Sequence, residues 1–193
     1  MRNQNLFTDF QSTVPRECLQ MMTRNSWRIV AVLACLVVVS ARAQEVEDLE
    51  KLDRQERAGL RNYDRGNYEA AFESLSGTAV RGFKTSQYIL AFMFLKGQYV
   101  DQSLLLGMAW LGVAKESGDP EWLELYQNLY SQLPPNQQAI VDARVAQYVE
   151  KYGMATQNVS CSRQPVAGSR RAETNCIKID GKVSPIYPVE LKP

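Results

Sequence analysis

No proline occurs between Arg16 and Pro120, and glycines cut the intervening chain at Gly66, Gly82, Gly97 and Gly118. Proline breaks a helix interior, whereas a glycine commonly closes a helix end. A proline-free stretch with such punctuation is expected to fold as successive helices. Displacing the sequence by 36 residues places Ala71 on Gly107, Leu75 on Leu111, Thr78 on Ala114 and Gly82 on Gly118. A period of this size is the signature of stacked two-helix units. Small residues allow helix axes to approach, and the large Tyr88, Leu90, Phe94, Trp110 and Leu111 fill the space left.

The flanking segments extend the helical reading. Residues 45–61 are charged, with a thin apolar stripe at Val46, Leu49, Leu52 and Leu60. After Gly118, Asp119 suits an N-cap and Pro120 the first helical position, which predicts a helix running to about Gln132. Pro134 and Pro135 interrupt the chain, and a last helix is expected from Asn136 to Tyr152, closed by Gly153. Its apolar side is read as Ala139, Ile140, Ala143, Val145, Ala146 and Val149, with Arg144 exposed. This helix would cap a helical array. Residues 154–193 lose the helical period. Residues 158–161 and 173–179 read as two short strands, stapled by a disulfide between Cys161 and Cys176. Three prolines, at 185, 188 and 193, suggest an extended end.

Residues 87–118 resemble the Sel-one-like repeat, a relative of the tetratricopeptide repeat. The matches are Leu90, Met93, Gly97, Val100, Trp110, Ala114 and Gly118, preceded by Gln87 and Tyr88. The departures are Ala91, Phe94, Tyr99, Ser103 and Gly107, where the family has Gly, Tyr, Gly, Asp and Ala. Tyr99 stands for a turn glycine, so the loop between the two helices is expected to differ in path. Ser103 removes a usual helix-start carboxylate but is itself a good N-cap. Residues 58–86 resemble a preceding half-repeat through Tyr63, Gly66, Tyr68 and Ala71. The resemblance implies an all-α fold, a short tetratricopeptide-like helical-repeat solenoid with the small disulfide-stapled hairpin at its C-terminal end. It also implies a concave face, lined by the first helix of each repeat, that takes up peptide segments. By that analogy Gln87, Tyr88, Phe92, Lys96 and Tyr99 are the candidate partner contacts. Tyr99 leads them, because the family expects no side chain there.

The N-terminal part has a different character. Arg24 and Arg28 precede an apolar run from Ile29 to Val39, which ends in Ser40-Ala41-Arg42-Ala43. This is the layout of a secretory signal peptide with cleavage between Ala43 and Gln44. The run of 11 residues falls short of the ~20 that span a bilayer. Residues 1–20 precede it and are read as a non-native upstream extension, with translation starting at Met21 or Met22. The expected organisation is therefore extension 1–20, signal peptide 21–43, helical repeat domain 44–153 and C-terminal tail 154–193. Cleavage removes five basic residues (Arg2, Arg16, Arg24, Arg28, Arg42) and two acidic ones (Asp9, Glu17), turning a net charge of +1 slightly acidic. It also leaves Cys161 and Cys176 as a pair in an exported chain, where a disulfide is expected.

Function is bounded largely by exclusion. The chain has no histidine, which removes a Ser-His-Asp triad, a Cys-His pair and a His-ligated zinc site. The near-balanced charge gives no footprint for nucleic acid. Glu116, Asp119, Glu121 and Glu124 gather around a helix start, where acids favour the macrodipole, and read as structural. Arg163, Arg170 and Arg171 form a small basic spot in the tail. The resulting expectation is a non-catalytic protein–protein interaction module of the bacterial cell envelope, periplasmic or secreted. It would have no cofactor, no metal and no membrane span in the mature chain, and its partner would be another protein or peptide. The alternatives are a binder of envelope polymer (peptidoglycan or anionic lipid), an accessory subunit of a cell-wall enzyme, and a self-associating structural protein.

Overall fold

The computed structural model describes residues 49–165, 172–179 and 187–192. The upstream extension, the signal segment, the Ala43–Gln44 junction, and Arg170 and Arg171 of the basic spot lie outside the described residues. The chain is mostly helical. Helix α1 covers residues 49–64, followed by α2 (Tyr68–Ala79), α3 (Lys84–Lys96), α4 (Leu104–Ala114), a 3-10 turn (Lys115–Ser117), α5 (Pro120–Ser131) and α6 (Pro135–Tyr152). Two antiparallel strands follow, β1 (Val159–Pro165) and β2 (Ala172–Lys178), with Cys161 opposite Cys176 and disulfide-bonded to it.

Local chemistry sets the helix ends. The Ser103 hydroxyl accepts the Leu106 N–H at 3.2 Å, so this residue caps α4. Asp119 accepts from the N–H groups of Glu121 and Trp122 at the start of α5, and Pro120 occupies the first turn. Gly66, Gly82, Gly97 and Gly118 all have positive φ and sit at the predicted stops. Gly82 has a second reason to be glycine: a Cβ there would lie 2.7 Å from Gln157 Cβ and 2.8 Å from Val159 Cγ2, where the hairpin's root meets the α2–α3 turn.

Helix α4 is the centre of the molecule. It packs on α3 and α6, α2 packs on α3, and every residue from Leu106 to Ala114 is buried. Gly107 shows why a small residue is needed in that contact, since a Cβ would meet the Leu95 side chain at 2.6 Å and the Ala91 carbonyl oxygen at 3.1 Å. The residues matched by the 36-residue displacement share environments. Ala71 and Gly107, Leu75 and Leu111, and Thr78 and Ala114 are all buried, and Gly82 and Gly118 are both left-handed.

Aromatic rings fill the layer between α4 and α6. Trp110 stacks on Tyr152 with ring centroids 4.8 Å apart and meets Tyr148 edge-on at 5.2 Å. These rings correct the expected apolar side of α6. Val141, Tyr148 and Tyr152 are buried, with Val145 and Val149 half-buried, whereas Ala139, Ile140, Ala143 and Ala146 face solvent. Aromatic side chains bring far more area to the core than alanine, so they decide which face turns inward. Arg144 is likewise not exposed. It is half-buried and paired with Glu190 of the C-terminal segment, whose residues Tyr187, Pro188 and Glu190 contact α6.

The start of α3 ties several elements together. Lys84 is buried, and its Nζ donates to the Val113 carbonyl and to Glu116 Oε2, both at 3.0 Å. The same carboxylate accepts the Met154 N–H, joining the turn after α4 to the turn after α6. Burial lowers the Lys84 ammonium below the usual lysine range, and Glu116 partly opposes that shift. On the other side of α3, Glu56 of α1 accepts from the Ser86 N–H and hydroxyl.

Candidate functional site

Three of the five predicted contact residues share one stripe of α3. Tyr88, Phe92 and Lys96 recur every four residues, the spacing that places side chains above one another on a helix. Tyr88 and Phe92 are half-buried and meet edge-on at 4.9 Å, and the exposed Lys96 lies with its ammonium 5.1 Å from the Phe92 ring centroid. Trp122 of α5 stacks on Tyr88, with centroids 4.5 Å apart and planes 14° from parallel. The stripe therefore bridges α3 and α5. Tyr63 of α1, near enough to Tyr88 to be influenced by its charge, is half-buried, its hydroxyl donating to Gln98 Oε1 at 3.0 Å and its ring edge-on to Tyr68 at 5.6 Å.

The electrostatics of this surface are uneven. Burial raises the Tyr88 hydroxyl above the usual phenol range, and the carboxylates of Glu121 and Asp119 push it further. Burial also raises Tyr63, with Tyr68 next in effect. One end of the stripe thus carries acids at the start of α5, and the other carries the Lys96 ammonium. Aromatic rings with such flanks present large, rigid apolar area with polar tips. Both raised phenols are neutral at ordinary pH, so their hydroxyls are available to donate hydrogen bonds.

Gln87 does not belong to this surface, which corrects its reading as a contact. It is fully buried on the opposite side of α3. Its Nε2 donates to the Ala79 carbonyl at 2.8 Å and to the Tyr152 carbonyl at 3.0 Å, the last residues of α2 and α6. Helix C-termini leave carbonyls without intrahelical partners, and Gln87 supplies a donor to two of them at once.

Tyr99 stands apart from the stripe. It is 53% exposed in the turn between α3 and α4, and its ring leans on Phe72 of α2 at 5.6 Å. Its φ is 70°, the left-handed conformation that glycine adopts freely and a tyrosine does not. Its hydroxyl is raised above the usual range, first by the Glu69 carboxylate, then by partial desolvation and by a hydrogen bond to that same carboxylate. A bulky residue held in a left-handed conformation is an outlier of the kind that marks functional positions.

Trp122 and Tyr63 were not among the predicted contacts. Trp122 lies in the first turn of α5, and no spacing in the sequence shows that it stacks on Tyr88. Cys161 and Cys176 are bonded to each other and are thereby unavailable as thiolate ligands. Among the described residues, no helix is long and apolar enough to cross a membrane. No protein-family model matches the sequence, and no curated protein matches it significantly.

Proposed function

We propose that this chain is an exported, non-catalytic interaction module of the bacterial cell envelope, built as a short helical array of the Sel-one-like kind. In this reading α1 with α2, α3 with α4, and α5 with α6 are successive helix pairs, and the first helix of each pair lines the binding face. The shared environments of the residues 36 apart support the pairing. The layout of residues 21–43 supports export to the periplasm or beyond, and the Cys161–Cys176 bond fits an oxidising compartment.

The observation that carries the proposal is the half-buried Tyr88–Trp122 stack, with Phe92, Lys96 and Tyr63 around it. These residues come from α1, α3 and α5, the three helices that the array would turn toward a ligand. Affinity at such surfaces concentrates in a few aromatic anchors. The partner is a protein or peptide segment whose apolar side chains cover the stack. Retention of envelope material on the immobilised protein tests this. Protease treatment of the extract abolishes retention if the partner is a protein, as does the double substitution Tyr88→Ala and Trp122→Ala. Retention that survives protease and vanishes at high salt would instead support the envelope-polymer reading, for which Arg163 stands exposed on β1.

A further inference from the structure

The C-terminal residues Tyr187-Pro188-Val189-Glu190 lie on α6 in the manner of a bound peptide. Glu190 gives one carboxylate oxygen to Arg144 Nη1 at 2.8 Å and the other to Lys151 Nζ at 2.9 Å. The Pro188 carbonyl accepts from the Tyr152 hydroxyl at 3.0 Å. The Tyr187 ring meets Tyr152 edge-on at 6.3 Å, and Val189 packs against the hydrophobic core. Arg144 and Lys151 are seven residues apart, two turns along one face of α6, and the buried Tyr152 borders that face with its hydroxyl. Tyr152 thus meets both the aromatic ring and the proline carbonyl, while Arg144 and Lys151 share the carboxylate.

The contacts are also of a kind that can be exchanged. The side chains of Arg144, Lys151 and Glu190 keep 22%, 34% and 34% of their surface in solvent, so the ion pairs are wet and individually weak. Attachment to the same chain adds to these contacts a local concentration of roughly millimolar order. We propose that this face of α6 is a peptide-docking groove that the chain fills in cis with residues 187–190. It accepts in their place an extended partner segment of the same chemistry: aromatic, proline, branched aliphatic, carboxylate. The α6 groove is separate from the Tyr88–Trp122 stack, and the inference does not depend on that reading.

The test uses the full chain and a fluorescent peptide, Tyr-Pro-Val-Glu-Leu-Lys-Pro, copied from residues 187–193. Glu190→Lys sets a cation against Arg144 and Lys151 and releases the segment. Anisotropy is expected to show the peptide binding Glu190→Lys at least tenfold more tightly than the wild type. Adding Arg144→Ala, or replacing the peptide's glutamate by glutamine, is expected to remove most of that binding. Circular dichroism confirms that each variant is folded, and Glu190→Gln serves where Glu190→Lys is not. Equal binding to wild type and the folded Glu190 variant, or no binding to either, would overturn the proposal.

Discussion

At the scale of single residues, Tyr99 and the buried tyrosines carry the sharpest consequences. A left-handed tyrosine is strained relative to glycine, whereas alanine keeps the strain and loses the ring contact with Phe72. Tyr99→Gly is therefore expected to be more stable than Tyr99→Ala, by about tenfold in the unfolding equilibrium constant, as read from urea titrations. The reverse order would show that the backbone at position 99 is unstrained. Burial pushes Tyr126 and Tyr152 up to about 12, and Tyr148 higher still. An unfolded tyrosine ionises near 10. The stability contributed by these neutral phenols is thus complete below pH 10 and is lost as the pH rises from there toward 12. Phenolate absorbance should show these residues titrating late, together with the alkaline unfolding transition. Ionisation near pH 10 in the folded protein would contradict their burial.

At the scale of elements, two contacts decide how the pieces hold together. Gln87 links the ends of α2 and α6, so Gln87→Leu removes the donor to two buried carbonyls. It is expected to lower stability by about 2–4 kcal/mol in urea titrations, and to leave the Tyr88 face of the folded protein intact. The disulfide holds the hairpin, where closing a loop of this size is worth about 3 kcal/mol. Reduction is expected to open β1 and β2 to amide hydrogen exchange while the helical circular dichroism stays unchanged. Loss of helix on reduction would show that the hairpin supports the helices. Most elements were legible in advance, because proline at a first turn, Asp119 and Ser103 as caps, and glycine at stops act over a few residues. The inward face of α6 was not. Its alanines imitate a buried stripe, but the face is chosen by Trp110 on another helix, which draws in Tyr148 and Tyr152.

At the scale of the whole molecule, the aromatic residues of the described helices separate into groups that no spacing could distinguish. Trp110, Tyr148 and Tyr152 form the core, whereas Tyr88, Phe92 and Trp122 remain half-open to solvent. The i, i+4 step from Tyr88 to Lys96 was readable, and the Trp122 stack was not, because it joins two helices. The same is true of Glu190, whose ion pairs with Arg144 and Lys151 leave no local pattern. The central claim is that the Tyr88–Trp122 surface meets a partner in the cell envelope. Site-specific photo-crosslinking in cells tests it most directly, with the probe at Phe92 beside the stack and a control at Ile140, which is 56% exposed on α6. The account predicts a discrete adduct of defined mass from Phe92 and none from Ile140. No adduct at Phe92, or equal smears from both positions, would contradict it.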